Sequence, residues 1–162
     1  MKPDKSRNLS EIEQLAAELN LSLNDSTQAN CFNAVQLFWE DTDKQVFVGS
    51  EEFIVYMAKH FTQVRTSETG QYADVIIVWS RNESSLPIGK INLNDLILKR
   101  QGYPFGLIIE HAFVIIENGN IFQKPDPKSL GLYQIIFESE ALSPYLKING
   151  YEITRHRRSD KS

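Results

Sequence analysis

Cys31 is the only cysteine in a chain of 162 residues, and its setting is the first hint of chemistry. The run Gln28-Ala29-Asn30-Cys31-Phe32-Asn33-Ala34-Val35-Gln36-Leu37-Phe38-Trp39 puts Cys31, Val35 and Phe38 on one face at helical spacing, with the cysteine in the first turn. A thiolate is the nucleophilic form of cysteine, and the unpaired N–H groups and partial positive charge at a helix N-terminus favour that anion. The same N–H groups can hold the oxyanion of a carbonyl under attack. Against this stands the ordinary fate of a free cysteine, a small buried hydrophobe. His111 shifts the balance. It opens the apolar run His111-Ala112-Phe113-Val114-Ile115-Ile116, where an imidazole needs a use. Thiol chemistry requires a base that takes the thiol proton and returns it to the leaving group, and that base must be held in one tautomer. Gln123, twelve residues on, is a candidate for the holding role. A symmetric hairpin turned at Asn118-Gly119 places Gln123 opposite Val114, so twist or a bulge is needed to bring it to His111. On its own Gln123 reads as an ordinary strand residue.

These side chains need a scaffold, and the pattern predicts an α+β one. Ser10 and Glu13 have capping-box spacing, and Ile12, Leu15, Ala16 and Leu19 follow as an amphipathic helix. The helix carrying Cys31 is second. A third follows Ser50, with Phe53, Ile54, Met57 and Phe61 apolar. Tyr72 to Trp79 is continuous and β-branched, as in a strand covered on both faces. From residue 80 to 110 the pattern weakens, with Asn94-Asp95 able to cap a short helix through Lys99. His111–Ile116 and Asn120–Lys124 form a hairpin around Asn-Gly, the strongest short hairpin signal. Leu132–Phe137 and Tyr151–Thr154 supply further strands. The expected architecture is N-terminal helices packed on an antiparallel β-meander, with a flexible segment at 1–8, one domain over 9–154 and a basic polar tail over 155–162.

Composition narrows the function classes. Hydrophobic residues at 41% and charged residues at 23% describe a globular domain, and 17 basic against 21 acidic residues give a net charge of −4. No overall basic field draws in nucleic acid, and no run of 18 apolar residues spans a membrane. The first eight residues lack the apolar core of a secretory signal, so the protein stays inside the cell or has had a signal trimmed. Three scattered histidines and one cysteine do not have zinc-ligand spacing. Asp74 reads as a turn-fixing residue, His60 as a solvated or dipole-complementing one, His156 as part of the tail, and Trp39 and Trp79 as core.

The helix opening with Cys31, the strand Ala73-Asp74-Val75-Ile76-Ile77-Val78-Trp79, the His111 run, the Asn-Gly turn and Ile121-Phe122-Gln123 together resemble the NlpC-type cysteine peptidases, over roughly two-thirds of the chain. That resemblance implies a compact papain-like fold with Cys31 as nucleophile, His111 as general acid/base and Gln123 orienting the imidazole. It implies hydrolysis of an amide bond, in peptidoglycan stem peptides or related peptides and isopeptides, with no metal or organic cofactor. Gln28, Asn30 and Phe32, flanking the sulfur, become the candidates for oxyanion and substrate contact. The sequence departs from the family pattern at Asn30 (usually Asp), Phe32-Asn33 (usually Ser-Gly) and Ala73 (usually Gly), and in the 31 residues between Trp79 and His111. These departures keep two alternatives open: a binding module on the same fold without the reaction, and an acyltransferase using the same thioester. The expected protein is a monomer acting on a peptide.

Overall fold

The computed structural model describes residues 7–23, 28–81, 107–125, 131–145 and 151–159. The first helix, α1 (Leu9–Leu21), starts two residues earlier than the Ser10–Glu13 spacing predicts. Asn8 caps it instead: its Oδ1 accepts from the Glu11 N–H at 2.8 Å while Glu11 Oε1 accepts from the Asn8 N–H at 3.1 Å. The earlier start places Leu9 against the core as well as Ile12 and Ala16. Ahead of it, the Arg7 guanidinium donates to the Phe38 carbonyl, so this end of the expected flexible segment is tied down; residues 1–6 lie outside the described ones.

Helix α2 (Cys31–Phe38) ends in a Schellman motif, with the Glu40 N–H on the Leu37 carbonyl and the Asp41 N–H on the Gln36 carbonyl. Glu40 takes the left-handed conformation this closure needs, at φ 58°. Helix α3 (Ser50–His60) runs straight into β1 (Phe61–Val64), because Phe61 is already extended. Phe61 therefore begins a strand instead of completing the helix's apolar stripe.

The sheet contains β2 (Val75–Arg81), β3 (Leu107–Ile115), β4 (Asn120–Gln123), β5 (Gln134–Phe137) and β6 (Glu152–Arg158), with the short helix α4 (Glu138–Leu142) after β5. All pairings are antiparallel, in the spatial order β1-β6-β2-β3-β4-β5. The fold is α+β. The meander is correct only for β2 through β5, because β6 inserts between β1 and β2.

Residues 155–158 of the expected basic tail thus belong to an interior strand, since β6 runs through Arg158. Its charges are matched one by one. Arg157 bonds Asp74 through Nε at 3.0 Å and Nη2 at 2.9 Å, Arg158 pairs with Asp41 at 2.6 Å, and Arg155 donates to the carbonyls of Thr66 and Glu68. Of the 80–110 segment, Ser80 and Arg81 extend β2 and Leu107–Glu110 extend β3, with Arg81 opposite Leu107. The short helix expected at 94–99 lies outside the described residues.

Strand alternation divides the interior in two. Val75, Ile77, Trp79, Ala112, Val114 and Phe122 join the three long helices in the larger core. Ile76, Val78, Phe113 and Ile121 pack on the other face with Ala141 of α4. Both faces of β2 are covered, which is why its sequence is apolar without alternation.

Candidate active site

Cys31 is the first residue of α2, with Asn30 as the extended N-cap. Asn30 Oδ1 accepts from the Asn33 N–H at 3.2 Å and the Val48 N–H at 3.3 Å, and Asn30 Nδ2 donates to the Val48 carbonyl at 2.8 Å. The Ala34 N–H is taken by the Asn30 carbonyl. The third and fourth N–H groups of the helix are therefore satisfied, and those of Cys31 and Phe32 bear on the thiol itself. The bond to the Val48 carbonyl needs an N–H donor, which explains Asn over Asp at position 30. Asn33 acts likewise, donating to the Lys44 carbonyl and accepting from the Val46 N–H, so two amides pin the 44–48 segment across the start of α2.

The expected oxyanion and substrate contacts are thereby sorted. The buried Asn30 amide caps the helix with its oxygen and holds the Val48 backbone with both oxygen and nitrogen. The Phe32 ring is stacked on Phe53 at 4.5 Å in the core, leaving only its N–H at the sulfur. Gln28 is exposed, ahead of the cap.

His111 and Gln123 do meet: imidazole Nε2 lies 2.6 Å from Gln123 Oε1. A carboxamide oxygen can only accept, so Nε2 carries the proton and Nδ1 keeps a free lone pair. The register of the hairpin explains the contact. Asn118 and Gly119 both have positive φ, 60° and 76°, as the tight turn demands. Asn120 then pairs twice, its N–H on the Glu117 carbonyl and its own carbonyl on the Ile116 N–H. That double pairing slips the ladder by one residue, to Val114↔Phe122 and Ile115↔Ile121. Continued, the register puts Gln123 opposite Phe113, on the same sheet face as His111 and diagonal to it. The symmetric hairpin expected from sequence would have put Gln123 on the opposite face.

The sulfur approaches from the other side, since Cys31 packs against the larger core. Along β3, the Ile115 N–H points to β2 (Asp74 carbonyl) and the Ile116 N–H to β4 (Asn120 carbonyl). Alternation therefore aims the Ala112 N–H toward the β4 side, beyond the last rung at Val114, and it bonds the Cys31 thiol. The thiol thus occupies a seam at the end of the β3–β4 ladder, next to the residue that follows His111.

Burial favours the neutral form of both the thiol and the imidazole. Burial pushes the Cys31 thiol up to about 11, opposed by the N–H groups of Ala112, Phe32 and Cys31 and by the Lys124 charge. Burial also lowers His111, opposed by the Gln123 hydrogen bond. The Tyr145 ring stacks on His111, centroids 5.8 Å apart and planes 19° from parallel. Burial, then the Cys31 and Glu110 charges, push the Tyr145 phenol up to about 12.

Sequence reasoning missed Lys124, Tyr145 and the Ala112 N–H. A lysine directly after Gln123 at the end of an apolar strand was the one available signal; Tyr145 had none. Elsewhere, Asp74 accepts from the Gln71 N–H and pairs with Arg157, a structural role. His156 is buried in β6 with Nε2 hydrogen-bonded to the Thr154 hydroxyl at 2.7 Å, and that hydroxyl oxygen accepts the Trp79 indole N–H. Trp39 and Trp79 lie in the core. Among the described residues no three His, Cys, Asp or Glu side chains gather as metal ligands, and no helix is long and apolar enough to cross a membrane. No protein-family model matches the chain, and no curated protein or solved structure matches it.

Proposed function

We propose that this protein is a cysteine hydrolase of papain-like, NlpC-type architecture that cleaves an amide bond, with a peptidoglycan stem peptide or related peptide or isopeptide as substrate. The observation that carries the reading is the His111 Nε2–Gln123 Oε1 bond of 2.6 Å, which leaves the Nδ1 lone pair unprotonated, on the residue before Ala112, whose N–H bears on the thiol in the first turn of α2. In this reaction the Cys31 sulfur attacks the carbonyl carbon as Nδ1 takes the thiol proton. The N–H groups of Cys31 and Phe32 turn to the developing oxyanion, the imidazolium protonates the leaving amine, and water releases the thioester. Transfer of the thioester to an amine would use the same groups. The burial of the imidazole favours one second reading, a module that keeps the fold and binds without turnover.

The test is peptide-amide hydrolysis together with alkylation of Cys31 by iodoacetamide, using wild type, Cys31→Ser and His111→Gln. The hydrolase reading expects Cys31→Ser to abolish turnover and His111→Gln to lower it by about 10²–10⁴-fold. Cys31→Ser should retain the wild-type melting temperature to within a few degrees. A thiol indifferent to iodoacetamide at every pH, with no turnover on any peptide or muropeptide amide, would leave the binding module.

A further inference from the structure

The bond from His111 Nε2–H to Gln123 fixes one point of the imidazole but not its plane, because the ring can still tilt about the Nε2–Oε1 line. The Nδ1 lone pair lies in the ring plane, so whatever fixes that plane decides where the base points. Two aromatic rings meet the imidazole. Phe113, fully buried on the same face of β3, lies 5.9 Å away between centroids with its plane tilted by 47°. Tyr145 lies 5.8 Å away with its plane only 19° from parallel, the geometry of an offset-stacked pair. A tilted neighbour limits how far the imidazole swings, whereas a stacked one selects its plane. The Tyr145 ring is itself anchored. After β5, α4 seats Ala141 in the second core with Ile76, Val78, Phe113 and Ile121, and the short turn Ser143–Tyr145 follows directly. Pro144 restricts the backbone of that turn, and Leu142 and Tyr145 both pack on the same core. Burial, then the Cys31 and Glu110 charges, hold the phenol up at about 12, so the ring is uncharged near neutral pH and acts on the imidazole by its shape.

We propose that Tyr145 is a positioning residue of this site: its ring, stacked on His111, holds the imidazole in the plane from which Nδ1 receives the thiol proton. The proposal rests on the hydrolase reading. Three elements then locate the base. Gln123 of β4 sets its tautomer, Phe113 of β3 limits its swing, and Tyr145 after α4 fixes its plane. Misdirecting a reacting lone pair costs rate without weakening substrate binding, since the two partners of the proton transfer no longer meet in line. Stacking needs the aromatic ring and not its hydroxyl, so phenylalanine serves in the same place and an aliphatic side chain of similar size does not.

The experiment measures hydrolysis of a peptidoglycan stem peptide and iodoacetamide alkylation of Cys31, near neutral pH, in wild type, Tyr145→Phe, Tyr145→Leu and His111→Gln. Tyr145→Leu should lower kcat and the alkylation rate by about 10–100-fold. Its KM should stay within about twofold of wild type, and Tyr145→Phe should recover most of both rates. A spectroscopic readout accompanies the rates: the His111 Nε2–H signal of ¹⁵N-labelled protein should exchange with water about tenfold faster in Tyr145→Leu and as in wild type in Tyr145→Phe. Should Tyr145→Leu not fold, the wild type alone decides, because stacking requires nuclear Overhauser contacts between the ring protons of Tyr145 and His111, and their absence overturns the proposal. Wild-type reactivity that falls in His111→Gln but is unchanged in Tyr145→Leu, or that falls equally in Tyr145→Phe, overturns the proposal and leaves the hydrolase reading intact. A wild type that shows neither turnover nor alkylation overturns both.

Discussion

The imidazole of His111 depends on a single acceptor. Its Nε2–H is buried and bonded to Gln123, so removing that oxygen strands a buried donor. Gln123→Leu is expected to destabilise the fold by about 1–3 kcal/mol in urea unfolding, the cost of an unmet buried group. Gln123→Glu should keep the bond and raise the His111 titration, because a carboxylate favours the imidazolium. The ring-proton NMR titration checks this, and an unmoved midpoint would disprove the Nε2 assignment. At this scale sequence was informative where a residue type was out of place: a histidine opening an apolar strand, a cysteine heading a helix. The Gln123 contact was less legible, because a one-residue slip at Asn120 decides which face the amide occupies. Lys124 resembled the polar end of a strand, since nothing in its type announces that its ammonium is buried.

Elements were legible through their interiors and less so at their ends. The apolar runs of α2, β2 and β3 identified them, but the start of α1 was settled by Asn8 outcompeting Ser10, and β1 begins where the pattern still read as helix. Two non-glycine residues accept left-handed conformations to close such ends, Ala73 at φ 70° and Glu40 at φ 58°. Ala73 holds this conformation, which glycine adopts more readily, with its N–H on the Ile115 carbonyl at 2.7 Å. Glu40 ends α2 with a side chain half exposed and paired to Arg7 at 3.3 Å, an ion pair of small net value. Glu40→Gly is therefore expected to stabilise the protein by about 0.5–1 kcal/mol, seen as a higher urea midpoint with unchanged slope. A lowered midpoint would mean that the Arg7 contact outweighs the backbone strain.

Across the whole molecule, acid is the condition to which the fold is most exposed. Burial lowers His156 from 6.5 to about 3, which keeps the imidazole neutral beside the Thr154 hydroxyl. The unfolded chain takes up this proton below about pH 6.5 and the native one does not. The neutral-imidazole stability is therefore intact above that pH and falls by about 1.4 kcal/mol per unit as pH drops toward 3. His111, also lowered by burial, acts in the same direction. Urea midpoints should fall steeply from pH 6.5 to 4.5, and His156→Gln should remove part of that slope, leaving the share due to His111. Equal slopes in the two proteins would count against a buried neutral His156. The class of fold was readable from the order of helices and strands. The place of β6 was not, because its four consecutive basic and imidazole residues, 155–158, carry the composition of a solvated end; only the matching acids and carbonyls at Asp41, Glu68, Asp74 and Thr66 reveal an interior strand.

That strand has a kinetic consequence. Phe61 faces Arg158 and Val75 faces His156, so the sheet joins segments 97 and 81 residues apart through the same short ribbon. Loop closures of this length delay assembly, and until the ribbon docks, β1 and β2 each present an open hydrogen-bonding border. A second molecule's ribbon fits those borders as well as the chain's own, which makes strand exchange between copies the characteristic error of refolding at high concentration.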